Sequence, residues 1–151
     1  VAALRYARRR GATTLAVTCS PGSPLCRAAD IAIVAEVGPE VVAGSTRMKA
    51  GTAQKMILNM LSTGAMARLG YVYGNLMVNV LLKNRKLMER GIAILQEAAA
   101  VGRQVAERTL KAAGSVPVAL VMLKTGVTRT QALRRLHAAR GNVRKAIENS
   151  N

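Results

Sequence analysis

The chain has 151 residues, of which 50% are hydrophobic but only 2% aromatic, and it carries a formal net charge of +16. This length suits one domain packed mainly by aliphatic side chains, and the composition favours helices and a small parallel sheet over an aromatic-rich sandwich. The charge suggests nucleic-acid binding, but the scarcity of aromatic side chains argues against a single-strand binder, and a solvated basic surface is the simpler interpretation.

The first part of the chain has the pattern of a parallel α/β sheet. Leu4 and Ala7, with basic residues between them, predict an amphipathic helix that stops at Gly11. The runs TTLAVTC, LCRAAD and IAIVAEV then predict a buried strand, a short helix and a second strand. Two strands do not make a stable sheet alone, so we expect partner strands from further sequence or another chain.

Residues 40–55, EVVAGSTRMKAGTAQK, include the predicted start of a helix that runs from about Thr46 to Leu69. If Ser45 or Thr46 caps this helix, its first free N–H groups point outward beside the hydroxyls. Gly44 lets another group approach the backbone closely. Such a helix start is a potential anion site.

Two cations follow the hydroxyls directly, although cations are disfavoured at a helix start. Arg47 and Lys49 would each cost about 0.3–1 kcal/mol through the helix dipole, and a bound phosphate or carboxylate would reverse that sign. The alternative is that both side chains extend into solvent or pair with Glu36 or Glu40.

From Lys83 onward the sequence is rich in helix formers. We predict a long helix over residues 84–113 that ends at Gly114, after an irregular or strand-like connector, GYVYGNLMVNV. Thr128 and Gln131 have the spacing of a capping box. Three short helices are predicted at residues 116–124, 129–139 and 143–148.

The segment GPEVVAGSTRMKAGTAQKMILNMLSTGAMARLGYVYGNLMVNV, residues 38–80, closely resembles the signature region of N-acetylmuramic acid 6-phosphate etherases. These enzymes belong to the sugar isomerase (SIS) superfamily and are related to the glucokinase regulatory protein. Upstream, AALRYARRRGATTLAVTCSPGSPLCRAADIAIV resembles the family's helix, strand, loop and strand. Downstream, AGSVPVALVMLKTGVTRTQALRRLHAARGNVRKAI is similar to the family's small C-terminal helical domain.

The resemblance covers essentially the full chain and implies an α/β fold. The implied domains are the second half of a SIS-type parallel-sheet sandwich over residues 1–82, a long connecting helix over 83–113, and a small all-α, three-helix domain over 114–151.

The resemblance also implies an activity. The family removes the D-lactyl ether from N-acetylmuramic acid 6-phosphate, giving N-acetylglucosamine 6-phosphate and D-lactate, during catabolism or recycling of cell-wall amino sugars. Lactate is eliminated from the ring-opened sugar and water is then added, with glutamates as acid and base and no metal or other cofactor. The implied partners are a phosphorylated amino sugar and a second copy of the chain, because SIS enzymes commonly build their sites where two subunits meet.

Full-length family members carry the catalytic glutamates and a Ser/Thr-rich phosphate loop before the position of Val1. We therefore expect a fragment that holds no catalytic residue and is inactive alone, which leaves open whether the chain itself is an enzyme. Our candidates for substrate binding are the following: Ser45, Thr46, Arg47, Lys49 and Glu40. For Glu40, a structural role as partner of one of the cations is an equal alternative.

Two other functions stay open from the sequence. The relation to the glucokinase regulatory protein allows a non-catalytic regulator that binds a sugar phosphate. The segment TGVTRTQALRRLHAARGNV resembles a helix-turn-helix, with Arg129, Arg134 and Arg135 on the second helix. The family resemblance already accounts for these helices, so we predict no nucleic-acid partner.

The remaining signals predict a cytoplasmic protein. Cys19, Cys26 and the single histidine, His137, are too few for a zinc site or a disulfide framework, which predicts free thiols in a reducing compartment. The apolar stretch at residues 56–82 is interrupted by an arginine and three asparagines, and no signal peptide is recognisable at the start, so we predict no membrane partner.

Overall fold

The computed structural model describes residues 1–149. Contacts between residues divide the chain into two compact units, one formed by residues 1–63 and the other beginning at Gly64. The first unit contains the parallel strands and the second is mostly helical. A mixed α/β chain with a small parallel sheet agrees with the predicted fold class.

The first unit follows the predicted order of helix, strand, helix and strand. Its two strands are parallel and in register, with Leu15 opposite Ile31 and Thr18 opposite Val34. Gly11 follows the first helix with a φ of +77°, a left-handed conformation that suits glycine and stops the helix as predicted. The elements are α1 (Ala2–Arg9), β1 (Leu15–Thr18), α2 (Pro24–Ala28) and β2 (Ile31–Val34).

The first strand was expected to be buried, and that expectation is wrong for most of β1 in the chain by itself. Leu15 is 42% exposed and Ile31 is 49% exposed, while Ala16 is buried. A two-stranded sheet has two edges and little cover, so its outward apolar side chains stay in contact with solvent.

The helix within the signature region, α3 (Ala50–Arg68), begins four residues later than predicted. Residues 46–49 form turns instead, and the α-helical hydrogen bonds start only beyond them. No residue of α3 is buried; Met56 and Met60 are 58% and 61% exposed. The apolar spacing therefore predicted the helix correctly, although most of its apolar surface is uncovered in this chain.

The second unit begins within the last part of α3, and a short antiparallel hairpin follows in the segment predicted to be irregular or strand-like. Val72 pairs with Met77 and Tyr73 with Leu76. Five helices follow the hairpin. The elements are β3 (Val72–Tyr73), β4 (Leu76–Met77), α4 (Arg85–Ala99), α5 (Arg103–Ala113), α6 (Val116–Thr125), α7 (Arg129–Ala138) and α8 (Val143–Glu148).

The predicted single helix over residues 84–113 is wrong, because the chain breaks between α4 and α5. Ala100 has a left-handed φ of +54° and ends α4, and Gly102 then precedes α5. The break lets α5 fold back against α4, so that Leu95 and Leu110 lie in one buried cluster. Helix propensity alone favours one continuous helix. Burial of the apolar faces of α4 and α5 against each other favours the break instead.

The three last helices begin at the predicted residues, and the capping box at Thr128 and Gln131 is confirmed. However, α6 packs against α4 and α5 as well as against α7 and α8. Its fully buried Leu120 and Val121 belong to a core shared by all five helices. These contacts do not test the predicted division into domains at residues 82 and 113, which stays a prediction.

Candidate functional site

The part of the signature region that precedes α3 forms a loop, which Glu40 closes. Both carboxylate oxygens of Glu40 accept hydrogen bonds from backbone N–H groups at the start of α3, from Lys49 at 3.0 Å and from Ala50 at 3.0 Å. The Lys49 ammonium group also donates to the Pro39 carbonyl oxygen at 3.0 Å. We call residues 40–50 the signature loop.

Glu40 supplies the negative charge that the start of α3 favours. The N–H groups of Ala50 and Lys49 lower the pKa of the Glu40 carboxyl, and the Lys49 charge adds to the effect. A carboxylate at this position interacts favourably with the helix dipole and offsets the cost of the nearby cations. A carboxylate of the same chain therefore occupies these two N–H groups, and the predicted binding of an external anion at the helix start stays a prediction.

The signature loop holds the predicted hydroxyls in different surroundings. Gly44 has a φ of +84° at a turn where the Ser45 N–H donates to the Val42 carbonyl oxygen at 3.0 Å. Ser45 is half-buried and Thr46 is exposed. Neither caps α3 as we expected, because the helix starts beyond them and takes its cap from Glu40.

The two predicted cations differ in whether their side chains have a partner within the loop. The side chain of Lys49 is anchored on Pro39, as described above. Arg47 is exposed, and its guanidinium group has no hydrogen-bond or ion-pair partner within residues 1–149. Arg47 is therefore the signature-loop cation that is available to an anionic ligand.

A cleft of about 190 Å³ lies at the carboxyl end of β1, beside the first turns of α3. We call it the β1 cleft. Thr46 is the one predicted site residue that lines it. The other lining residues are Val17, Thr18, Cys19, Ala50, Gly51, Gln54 and Ile57.

The β1 cleft has the position and chemistry of a binding site. Ligands of parallel α/β sheets usually bind at the carboxyl ends of the strands. Two hydroxyls, of Thr18 and Thr46, and the amide of Gln54 provide hydrogen-bond donors and acceptors. No carboxylate is among its lining residues, so the cleft can hold a polar ligand but supplies no carboxylate acid or base of its own.

Sequence reasoning missed Thr18, Cys19 and Gln54. A usable signal was present for the first two, because polar residues at the carboxyl end of a strand in a parallel sheet lie at its ligand-binding edge. Gln54 lies in the second turn of α3, and no comparable signal in the sequence marked it.

No three His, Cys, Asp or Glu side chains come together as a metal site in the described part of the chain. Cys19 and Cys26 are both free and half-buried. Within residues 1–149, every helix is too short or too polar to cross a bilayer.

Comparison with known proteins identifies the relatives of the chain. Residues 1–64 match the SIS domain family model. A curated N-acetylmuramic acid 6-phosphate etherase from Aeromonas hydrophila subsp. hydrophila is 56% identical over 140 residues, which is 92% of this chain and 47% of that protein. The proteins of the same name from Burkholderia lata and Salmonella paratyphi B are 53% and 49% identical, over 96% and 98% of this chain.

These similarities confirm the resemblance that the signature segment indicated. The similarity covers only part of each relative, because the chain spans about half the length of the curated relatives it matches.

Proposed function

We propose that this chain forms the C-terminal half of an N-acetylmuramic acid 6-phosphate etherase of the SIS superfamily. The observation that carries the proposal is 49–56% identity, over at least 92% of the chain, to proteins of that name. The reaction is cleavage of the D-lactyl ether to give N-acetylglucosamine 6-phosphate and D-lactate, in the cytoplasmic catabolism or recycling of cell-wall amino sugars.

In this proposal the chain binds substrate and does not carry the acid or the base. The β1 cleft and the signature loop receive the phosphorylated amino sugar, with Thr46 at the cleft and Arg47 free to pair with an anionic group. Ser45, Lys49 and Glu40 support them through the loop. Both Glu40 oxygens are engaged by backbone N–H groups, which makes this carboxylate a poor choice for a proton-transfer group.

The chemistry requires partners outside these residues. A carboxylate base removes the proton next to the C1 aldehyde of the open sugar, an acid assists the departure of lactate, and water then adds to the double bond. We infer that the glutamates for these steps lie in the half of the enzyme that this chain does not cover, so the chain alone is inactive. A homodimer of SIS sandwiches completes the proposed enzyme.

A chimera tests the activity. The matched 140 residues of the Aeromonas hydrophila relative are replaced by this chain, and release of D-lactate from N-acetylmuramic acid 6-phosphate is measured with a D-lactate dehydrogenase assay. We expect the chimera to release lactate and the 151-residue chain alone to release none. The relative and a version lacking the matched residues serve as positive and negative controls.

Two outcomes would count against the proposal. A folded chimera that binds the sugar phosphate without releasing lactate would support the non-catalytic regulator instead. Unchanged KM in the Arg47→Ala chimera would remove Arg47 from the binding site, whereas we expect KM to rise by about tenfold or more through loss of one charge-assisted contact.

A further inference from the structure

Glu40 is the main tether of the signature loop. Its carboxylate spans nine and ten residues of sequence to reach the N–H groups of Lys49 and Ala50, both at 3.0 Å. A carboxylate that accepts two backbone N–H groups forms stronger hydrogen bonds than neutral acceptors do. The hydrogen bond from the Lys49 ammonium group to the Pro39 carbonyl oxygen also closes the loop, at the residue just before Glu40.

The group that these tethers hold in place is Thr46. The Thr46 carbonyl oxygen accepts a hydrogen bond from the Gly51 N–H at 3.0 Å, directly after the two residues that bind Glu40. Thr46 and Gly51 both line the β1 cleft. Loss of the Glu40 bonds would therefore free the loop at the point where it forms one wall of the cleft.

We propose that Glu40 is a positioning residue, which closes the signature loop and thereby holds Thr46 at the β1 cleft. Glu40 does not touch the ligand in this arrangement. Because it occupies the N–H groups of Lys49 and Ala50, an anionic part of the ligand binds at other donors. The loop closure itself does not depend on the proposed function. Only the kinetic test of the positioning role rests on the proposed function.

Glu36 provides a matched control within the same segment. It is also a glutamate, it is exposed, and no hydrogen bond or ion pair engages its side chain in the described structure. Glu36→Gln removes one negative charge just as Glu40→Gln does. The two substitutions therefore separate the effect of charge from the effect of the two hydrogen bonds.

The first experiment measures amide hydrogen exchange in the 151-residue chain. We expect Glu40→Ala to speed exchange at Lys49 and Ala50 by about tenfold or more, because each N–H loses a charge-assisted bond. Glu40→Gln keeps an acceptor oxygen, so its effect should be smaller, and Glu36→Gln should have none. Equal exchange at both amides in Glu40→Ala and the unmodified chain would overturn the inference.

The second experiment places the same substitutions in the chimera and measures KM and kcat for N-acetylmuramic acid 6-phosphate. We expect Glu40→Ala to raise KM by about tenfold with a smaller change in kcat, with partial rescue in Glu40→Gln. A purely structural role would lower the melting temperature and leave KM unchanged in the folded variant, which would overturn the positioning role. If the unmodified chimera is inactive, the proposed function fails, and faster exchange in Glu40→Ala still supports the loop closure.

Discussion

At the scale of single residues, two left-handed glycines show which positions require the absence of a side chain. Gly70 has a φ of +86°, and a Cβ built on it would lie 2.5 Å from the Asn142 Cα and 2.6 Å from the Asn142 Cβ. Gly74, in the turn between β3 and β4, has a φ of +62° but no atom within 4 Å of such a Cβ. Both positions have a left-handed backbone conformation. They differ in whether another residue lies close to the place of a Cβ atom.

We predict that Gly70→Ala destabilises the chain by at least about 2 kcal/mol more than Gly74→Ala. Both substitutions carry about 1–2 kcal/mol of left-handed strain, and only the first forces α8 and its cap Asn142 to move. Urea unfolding monitored by circular dichroism measures both values. Equal losses of stability would mean that the approach of Gly70 to Asn142 relaxes without cost.

At the scale of elements, one carboxylate joins the beginnings of β1 and β2 to α1. Asp30 accepts hydrogen bonds from the Thr14 hydroxyl at 2.7 Å and from the Thr14 N–H at 2.8 Å, and it pairs with the Arg8 guanidinium group. These groups, the Thr14 hydroxyl first, lower the pKa of Asp30 from 3.8 to about 2. Thr14 is itself buried, so its hydroxyl needs this partner.

This shift predicts a specific acid sensitivity. Since the pKa of Asp30 is lower in the folded chain, its contribution to stability is complete above about pH 4 and is lost as the pH falls towards 2. The free energy of unfolding, measured in urea between pH 2 and 6, should fall less steeply with acid in Asp30→Asn than in the unmodified chain.

A matched substitution tests the cause of this sensitivity. Thr14→Val removes the hydroxyl but keeps the side-chain shape, so the loss of stability should move to higher pH, and a carboxyl NMR titration should find the pKa of Asp30 raised. The pKa values of Glu40 and Glu107 are also lowered, which is why the difference between variants is the informative quantity. Identical pH profiles in all three proteins would contradict the assignment to Asp30.

At the scale of the whole molecule, the two units differ in how much apolar surface they bury. The second unit has a continuous core that includes the fully buried Ile92, Leu95 and Leu120. The first unit has a two-stranded sheet with Ile31 49% exposed, and the helix α3 buries no residue. Marginal sheets of this size need further strands or a packed layer for independent stability.

We predict that backbone amides of β1, β2 and α3 exchange faster in the 151-residue chain than those of α4 and α6. Free energies of local opening follow buried apolar area, which is small in the first group and large in the second. Hydrogen exchange followed by mass spectrometry measures both groups in one sample. In the chimera, with the other half of the enzyme present, exchange in β1, β2 and α3 should slow while α6 changes little. Equal protection in the isolated chain would show that the exposed apolar faces are not a source of instability.

The sequence by itself determined the local structure. Left-handed glycines, the capping box at Thr128 and the apolar spacing identified most helices and both parallel strands, because these signals act within a few residues. The signature segment also identified the relatives and the loop that lines the β1 cleft, with Thr46 among its candidates. Charge and helix-dipole reasoning predicted a site for a bound anion at the start of α3, which stays a prediction, and it named Glu40 only as a possible partner of the two cations.

The tertiary structure decided what depends on partners distant in sequence. It broke the predicted helix at Ala100, because burial of α4 against α5 outweighs propensity in a stretch that is rich in helix formers, with Gly102 beside the break. It also moved the start of α3 past Thr46 and gave the role of the bound anion to Glu40, ten residues from the N–H that it caps. Propensity and spacing describe only near neighbours, whereas loop closure and burial are settled when the whole chain has folded.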